Sequence, residues 1–126
     1  MKVLSIVETA YRATLEEQDD TIVWLTHALK AAGADVSVLL RGNAVNYGLE
    51  SQDASGLSFG AVQQTQPPDL VGDVSELMAR GVPVYVVEED IEDRGLERRE
   101  LIDGLQPVPR AGIAALLGGF DQVWHW

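Results

Sequence analysis

The chain has 126 residues, 46% of them hydrophobic, a mean hydropathy of zero and a net charge of −11. That describes one domain with enough apolar residues to fold around its own core, and its acidity disfavours nucleic acid and anionic membranes, whose phosphates would repel it. There is no cysteine, which excludes disulfides, thiolate metal ligands and a thiol nucleophile. The amino-terminal "MKVLSIVETAYR" carries too short an apolar run before Glu8 for a signal-peptide core. No run reaches the roughly 18 apolar residues of a membrane span, so a soluble cytoplasmic protein is expected. The acidity itself serves solubility or forms an acidic face for a partner.

Residues 2–7, "KVLSIV", predict an opening strand, followed by the polar loop "ETAYRATLEEQDD". In "TIVWLTHALKAAG" the residues Ile22, Leu25, Leu29 and Ala32 fall on one helical face at spacings of three, four and three. Asp19, Asp20 or Thr21 can cap that helix and Gly33 ends it. "ADVSVLL", residues 34–40, is a second strand, and strand–helix–strand with short joints implies a parallel sheet. "RGNAVNYGL" suggests one helical turn. Residues 50–69 are polar and rich in Gly, Ser and Gln, a loop of unusual length for a compact domain. A second amphipathic helix, "LVGDVSELMARG", turns Leu70, Val74, Leu77 and Met78 inward, with Asp69 as its cap. "VPVYVV" is the third strand and breaks at once into the acidic run Glu88, Glu89, Asp90, Glu92 and Asp93. "RRELIDG" reads as a short helix, "LQPV" as a brief strand, "PRAGIAALLGG" as a third clear helix and "FDQVWHW" as a closing strand. The alternation predicts an open, three-layer α/β fold built on a mainly parallel sheet of about five strands.

Several kinds of chemistry are absent from the pattern. There is no GxxxxGK[ST] phosphate loop, no GxGxxG after the first strand and no GxSxG elbow. His27 and His125 each lack an HxxxH or HExxH partner, so both are assigned to structure or surface. The acidic run can be a hard-cation site, which would make a metal-dependent hydrolase, or a solvated helix start whose acids pair with Arg94, Arg98 and Arg99. No EF-hand spacing is present, and neither a metal nor any other cofactor is expected.

In an open parallel sheet, ligands bind beyond the carboxyl ends of the strands. There the sequence offers Thr9, Tyr11, Arg12, Arg41, Asn43, Asn46, Glu88, Glu89 and Arg94. Arginines from different strands can hold a small anion, or they can pair with the neighbouring acids.

"GVPVYVVEEDIEDRGL", "LIDGLQPVPRAGIAALL" and the terminal "DQVWHW" together resemble the DsrE/DsrF-like family of small sulfur-relay proteins. "KVLSIVETAY", "AAGADVSVLL" and "RGNAVNYGL" extend the resemblance over nearly the whole chain. It implies a five-stranded, mainly parallel sheet of flavodoxin-like architecture, and assembly into trimers or hexamers. Active members of the family carry sulfur as a persulfide on a cysteine at the end of the third strand. That position falls at or within a residue of Val87, and without a thiol the chemistry cannot be carried over.

The expected function is therefore a non-catalytic DsrE-like subunit that oligomerises and works beside sulfur-transfer partners. The alternative is a protein or enzyme that binds a small anion at the strand ends through Arg12 and Arg41, with Glu88 or Glu89 as base and Val87 close by. Trp124 and Trp126 lie one strand period apart and point to one side. With Trp24 they are candidates for a subunit contact, or else for the core.

Overall fold

The computed structural model describes residues 1–11, 19–53 and 56–126. Two strands form its centre, β1 (Lys2–Val7) and β2 (Asp35–Leu40), paired in parallel from Lys2↔Asp35 to Val7↔Leu40. All but the first residue of each strand is buried. Both faces of the strands are covered, which is why they read as apolar runs rather than alternating patterns.

Between them runs α1 (Thr21–Ala31). Of the candidate caps it is Asp20 that serves: Oδ1 accepts from the N–H groups of Ile22 at 2.8 Å and Val23 at 3.1 Å. The buried face of α1 consists of Ile22, Val23 and Thr26, while Leu25 and Leu29 are half-buried and Ala32 is exposed. The helix is thus rotated from the Ile22–Leu25–Leu29–Ala32 face that spacing suggests. Thr26 can sit inside because its hydroxyl donates to the Ile22 carbonyl at 2.8 Å. Gly33, at φ +89°, makes the left-handed turn into β2.

A 3₁₀ segment, Gly42–Gly48, follows β2 and buries Ala44, Val45 and Tyr47. The expected loop at 50–69 contains a small hairpin, β3 (Ser58–Phe59) with β4 (Val62–Gln63), whose Phe59 and Val62 are 71% and 69% exposed. Next comes α2 (Leu70–Ala79), capped by Asp69 through the Gly72 N–H at 2.9 Å, with Leu70, Val74 and Leu77 buried as expected. Strand β5 (Val84–Val87) joins β2, and the Pro83 carbonyl just ahead of it accepts from Val38 N–H at 2.9 Å. The acidic run forms the short helix α3 (Glu88–Glu92). "RRELIDG" makes only a 3₁₀ turn, Arg98–Glu100, rather than a full helix. Strand β6 (Gln106–Val108), α4 (Ile113–Leu117) and β7 (Gln122–His125) complete the chain.

The sheet order is β6–β5–β2–β1–β7, with every pair parallel. Up to β6 the chain steps outward in one direction, and α1 and α2 pack on one face. Between β6 and β7 it returns across the whole sheet, and this reversed step puts α4 on the other face. The two faces are unequally covered. The α1/α2 side holds the large core, with Tyr47, Val36, Val38, Leu40, Val74, Leu77, Val84 and Val86. On the α4 side, Leu4, Ile6, Leu39 and Val87 are covered mainly by Ile113, Leu116, Leu117 and Phe120, and no residue of α4 is itself buried. No helix among the described residues is long and apolar enough to cross a membrane.

Candidate functional site

Alternation along the strands decides which side chains meet at the carboxyl edge. Glu8, Arg41 and His125 continue the faces of Ile6, Leu39 and Val123, so all three stand on the α4 side at the ends of adjacent strands. His125 Nε2 lies 2.5 Å from Glu8 Oε2, and Arg41 Nε lies 4.0 Å from Glu8 Oε1. The backbone turns tightly here. Gly42 has φ +55°, and a Cβ on it would come 3.1 Å from Glu8 Cγ. The Gly42 N–H donates to Asp90 Oδ2 at 2.7 Å, tying the end of β2 to α3.

A second knot surrounds Asp90. Its Oδ1 accepts from Arg110 Nη2 at 2.8 Å, and the same guanidinium lies 3.4 Å from Asp93. Burial alone would raise the Asp90 carboxyl. The Gly42 N–H and the Arg110 and Arg94 guanidiniums outweigh it and hold the group below its ordinary range. Arg94 donates to the Asp90 carbonyl at 3.0 Å and to Asn43 Oδ1 at 2.8 Å, and Asn46 Nδ2 donates to the Asn43 carbonyl at 2.8 Å. Glu89 Oε2 accepts from the Arg110 backbone N–H at 2.5 Å, and Glu88 pairs with Arg98.

The sequence candidates therefore divide into groups. Asn43, Asn46 and Arg94 are joined by hydrogen bonds, whereas Arg41 meets Glu8, Glu88 meets Arg98 and Glu89 meets the Arg110 backbone. Val87 is fully buried against Leu4, Ile6 and Leu39, so its side chain fills core instead of facing a ligand. Tyr11 sits on the α1/α2 side with φ +56°, its ring edge-on to Tyr47 at 5.3 Å between centroids. Arg12 lies outside the described residues.

Trp24 is 65% exposed on α1. Trp124 and Trp126 are both half-buried. Trp126 Nε1 donates to Ser5 Oγ at 3.1 Å and its ring packs against the larger core. Among the described residues no three His, Asp or Glu side chains are placed to hold a metal ion.

Reading the sequence missed the Glu8–His125 pair and the role of Arg110. Glu8 and His125 are 117 residues apart, and only the placement of β7 beside β1 joins them. The neutral run "IAALL" was a visible signal that α4 has no polar face to turn toward water.

No family model matches the chain, and no curated protein matches it. Among solved structures it is similar to the ychN protein of E. coli, at 22% identity and a TM-score of 0.73, with all of both chains covered. It is also similar to MTH1491 of Methanobacterium thermoautotrophicum, a protein of unknown function, at 17% identity and a TM-score of 0.62, covering 98% of this chain and 97% of that one. The likeness shows a shared α/β fold. At these identities it carries the five-stranded parallel architecture and nothing about activity.

Proposed function

We propose that the whole chain is one DsrE/DsrF-like unit, a non-catalytic subunit that oligomerises, as a trimer or hexamer, and supports sulfur-transfer partners in the cytoplasm. The observation that carries this reading is the state of the α4 face. A five-residue apolar helix covers the sheet thinly, with Ile113, Leu116 and Leu117 half-buried and Ala114 and Ala115 exposed, and Val123 on the same face of the sheet is 42% exposed. A thinly covered apolar face of this kind is one that a subunit contact would remove from water. The absence of any thiol and the buried Val87 at the family's sulfur-carrying position support a structural role over a catalytic one.

Native mass spectrometry and light scattering of the purified chain test this. A trimer or hexamer that falls apart when Ala115, on the exposed side of α4, is replaced by Glu is the expected result. A monomer across the accessible concentration range would refute the assembly. Incubation with a cysteine-bearing relay protein then tests the partner class.

The cluster at the ends of β7, β1 and β2 favours a second reading, a binding site or enzyme for a small anion. Arg41 is held by Glu8 only at 4.0 Å, with the exposed His125 alongside. A small oxyanion such as phosphate could displace Glu8 and accept from Arg41 and His125, with Glu88 or Glu89 at the end of the neighbouring strand as base. Phosphate titrated into the protein and into Arg41→Ala should then show several-fold weaker binding to the variant. Equal affinity would remove this reading.

A further inference from the structure

A concavity of about 370 Å³ opens on the α4 side of the sheet, at the amino ends of β1, β2 and β5. That volume suits a small molecule. Alternation puts Ser37 on this face with Leu39, and Tyr85 with Val87. Pro83, Tyr85, Leu116 and Phe120, all half-buried, give the concavity its apolar walls. Lys2 and Asp35, partners in the β1–β2 register, stand exposed at its mouth. Val123 lies on β7, two strands away from Ser37.

One group in this wall stands apart from the other buried polar side chains. Asp20 accepts from the Ile22 N–H at 2.8 Å, Thr26 donates to the Ile22 carbonyl at 2.8 Å, and Ser5 accepts from the Trp126 indole at 3.1 Å. Ser37 is only 5% exposed, yet its hydroxyl has no hydrogen-bond partner among the described residues. It is not sealed in the core either, because no fully enclosed side-chain oxygen or nitrogen among those residues is without a partner. Its open side is therefore the concavity that it lines. A hydroxyl both donates and accepts, and one so nearly buried is costly unless something entering from outside supplies the bond. The Tyr85 hydroxyl, on the neighbouring strand, likewise has no partner among the described residues.

We propose that this concavity binds a small uncharged molecule, an apolar or aromatic body carrying one hydroxyl or amide group that bonds Ser37. The body covers Pro83, Leu116 and Phe120, and an aromatic one adds ring contacts with Tyr85 and Phe120. Charge at the mouth selects against ions. Lys2 and Asp35 oppose each other there, so a charged ligand of either sign meets a like charge. Such a ligand also gives up hydration on entering apolar walls. A metal ion does not fit, since Asp35 is the single carboxylate among the described lining residues. The inference depends neither on the assembly nor on the strand-end rim.

An amide NMR titration of the full chain tests it, with phenylethanol as probe and ethylbenzene, phenylpropionate and phenethylamine as controls of similar shape. The alcohol is expected to give saturable shifts confined to residues 35–37, 84–85 and 115–120, and both ions to bind several-fold more weakly. Ser37→Ala removes the hydroxyl and is expected to weaken the alcohol several-fold while leaving ethylbenzene unchanged. Ser37→Cys, of nearly the same shape but a weak donor, gives the same comparison should the alanine variant fold poorly. Light scattering beside each titration records the oligomeric state, so that a failed assembly and a failed site are told apart. No saturable shifts from the alcohol, equal binding of the ions, equally large shifts at the exposed Trp24 and Phe59, or Ser37 variants that weaken alcohol and hydrocarbon alike or neither would overturn the proposal.

Discussion

Replacing Asp20 with alanine is expected to destabilise the fold by about 3 kcal/mol. The carboxylate is completely buried and makes three bonds, to the N–H groups of Ile22 and Val23 and to the Tyr47 hydroxyl. Losing a helix cap costs about 1 kcal/mol, and losing the buried, charge-assisted bond from the Tyr47 hydroxyl adds roughly 1.5–3 kcal/mol. Asp20→Asn keeps the cap and a polar partner for Tyr47, and should cost only about 1 kcal/mol. Tyr47→Phe removes the same bond from its other end. The double variant should therefore lose clearly less than the two single losses added together. Urea unfolding with an unchanged slope measures all four. A cost for Asp20→Ala no larger than that for Asp20→Asn would show that the buried network does not hold α1 to the 3₁₀ segment.

Asp73→Asn is expected to act in the opposite direction, by an amount that grows as pH rises from about 4 to about 7. With its folded pKa raised from 3.8 to about 7, Asp73 stabilises the fold fully below pH 4. It loses that contribution as pH rises through about 7. The cause is burial first, then the hydrogen bond and charge of Asp19, then Asp69 and Glu76. The amide mimics the protonated acid at every pH. The variant should match the parent near pH 4 and exceed it by about 1–2 kcal/mol near pH 8, a figure reduced from the full shift because the group is only half-buried. Asp90 does not confuse the comparison. Its lowered carboxyl withdraws stability only as pH falls below the ordinary carboxylate range. Thermal unfolding of both proteins at the two pH values decides it, and a difference that does not grow with pH would disprove the account.

Much of the architecture was legible because it depends on local signals. The apolar runs of β1 and β2, the Asp69 cap and the helix-ending Gly33 each state their own structure within a few residues. The inward face of α1 was not legible. Thr26 counts as polar in a pattern and becomes a core residue only once its hydroxyl finds the Ile22 carbonyl. The hairpin at 58–63 was hidden for a related reason, since its four strand residues are too few for an alternation to register.

The rim was half-visible. Strand ends named Arg41, Asn43, Asn46, Glu88, Glu89 and Arg94 without saying who meets whom. Arg110 and His125 come from beyond β6 and from β7, and their partners follow from strand order, which no stretch of residues encodes. Val87 shows the converse: its place at a strand end was clear, but its burial depends on a helix some thirty residues later.

The return of the chain from β6 to β7 also has a kinetic meaning. β1 leaves the ribosome long before β7, the strand that covers one of its edges. Until residues 122–125 emerge, the N–H and C=O groups along that edge of β1 have no strand beside them. An open edge on an apolar strand invites pairing with another nascent chain. Closing it requires contact between the two most distant strands in the sequence, the kind of contact that slows folding. The sheet should therefore form from β1, β2 and β5 first and be sealed last by β7.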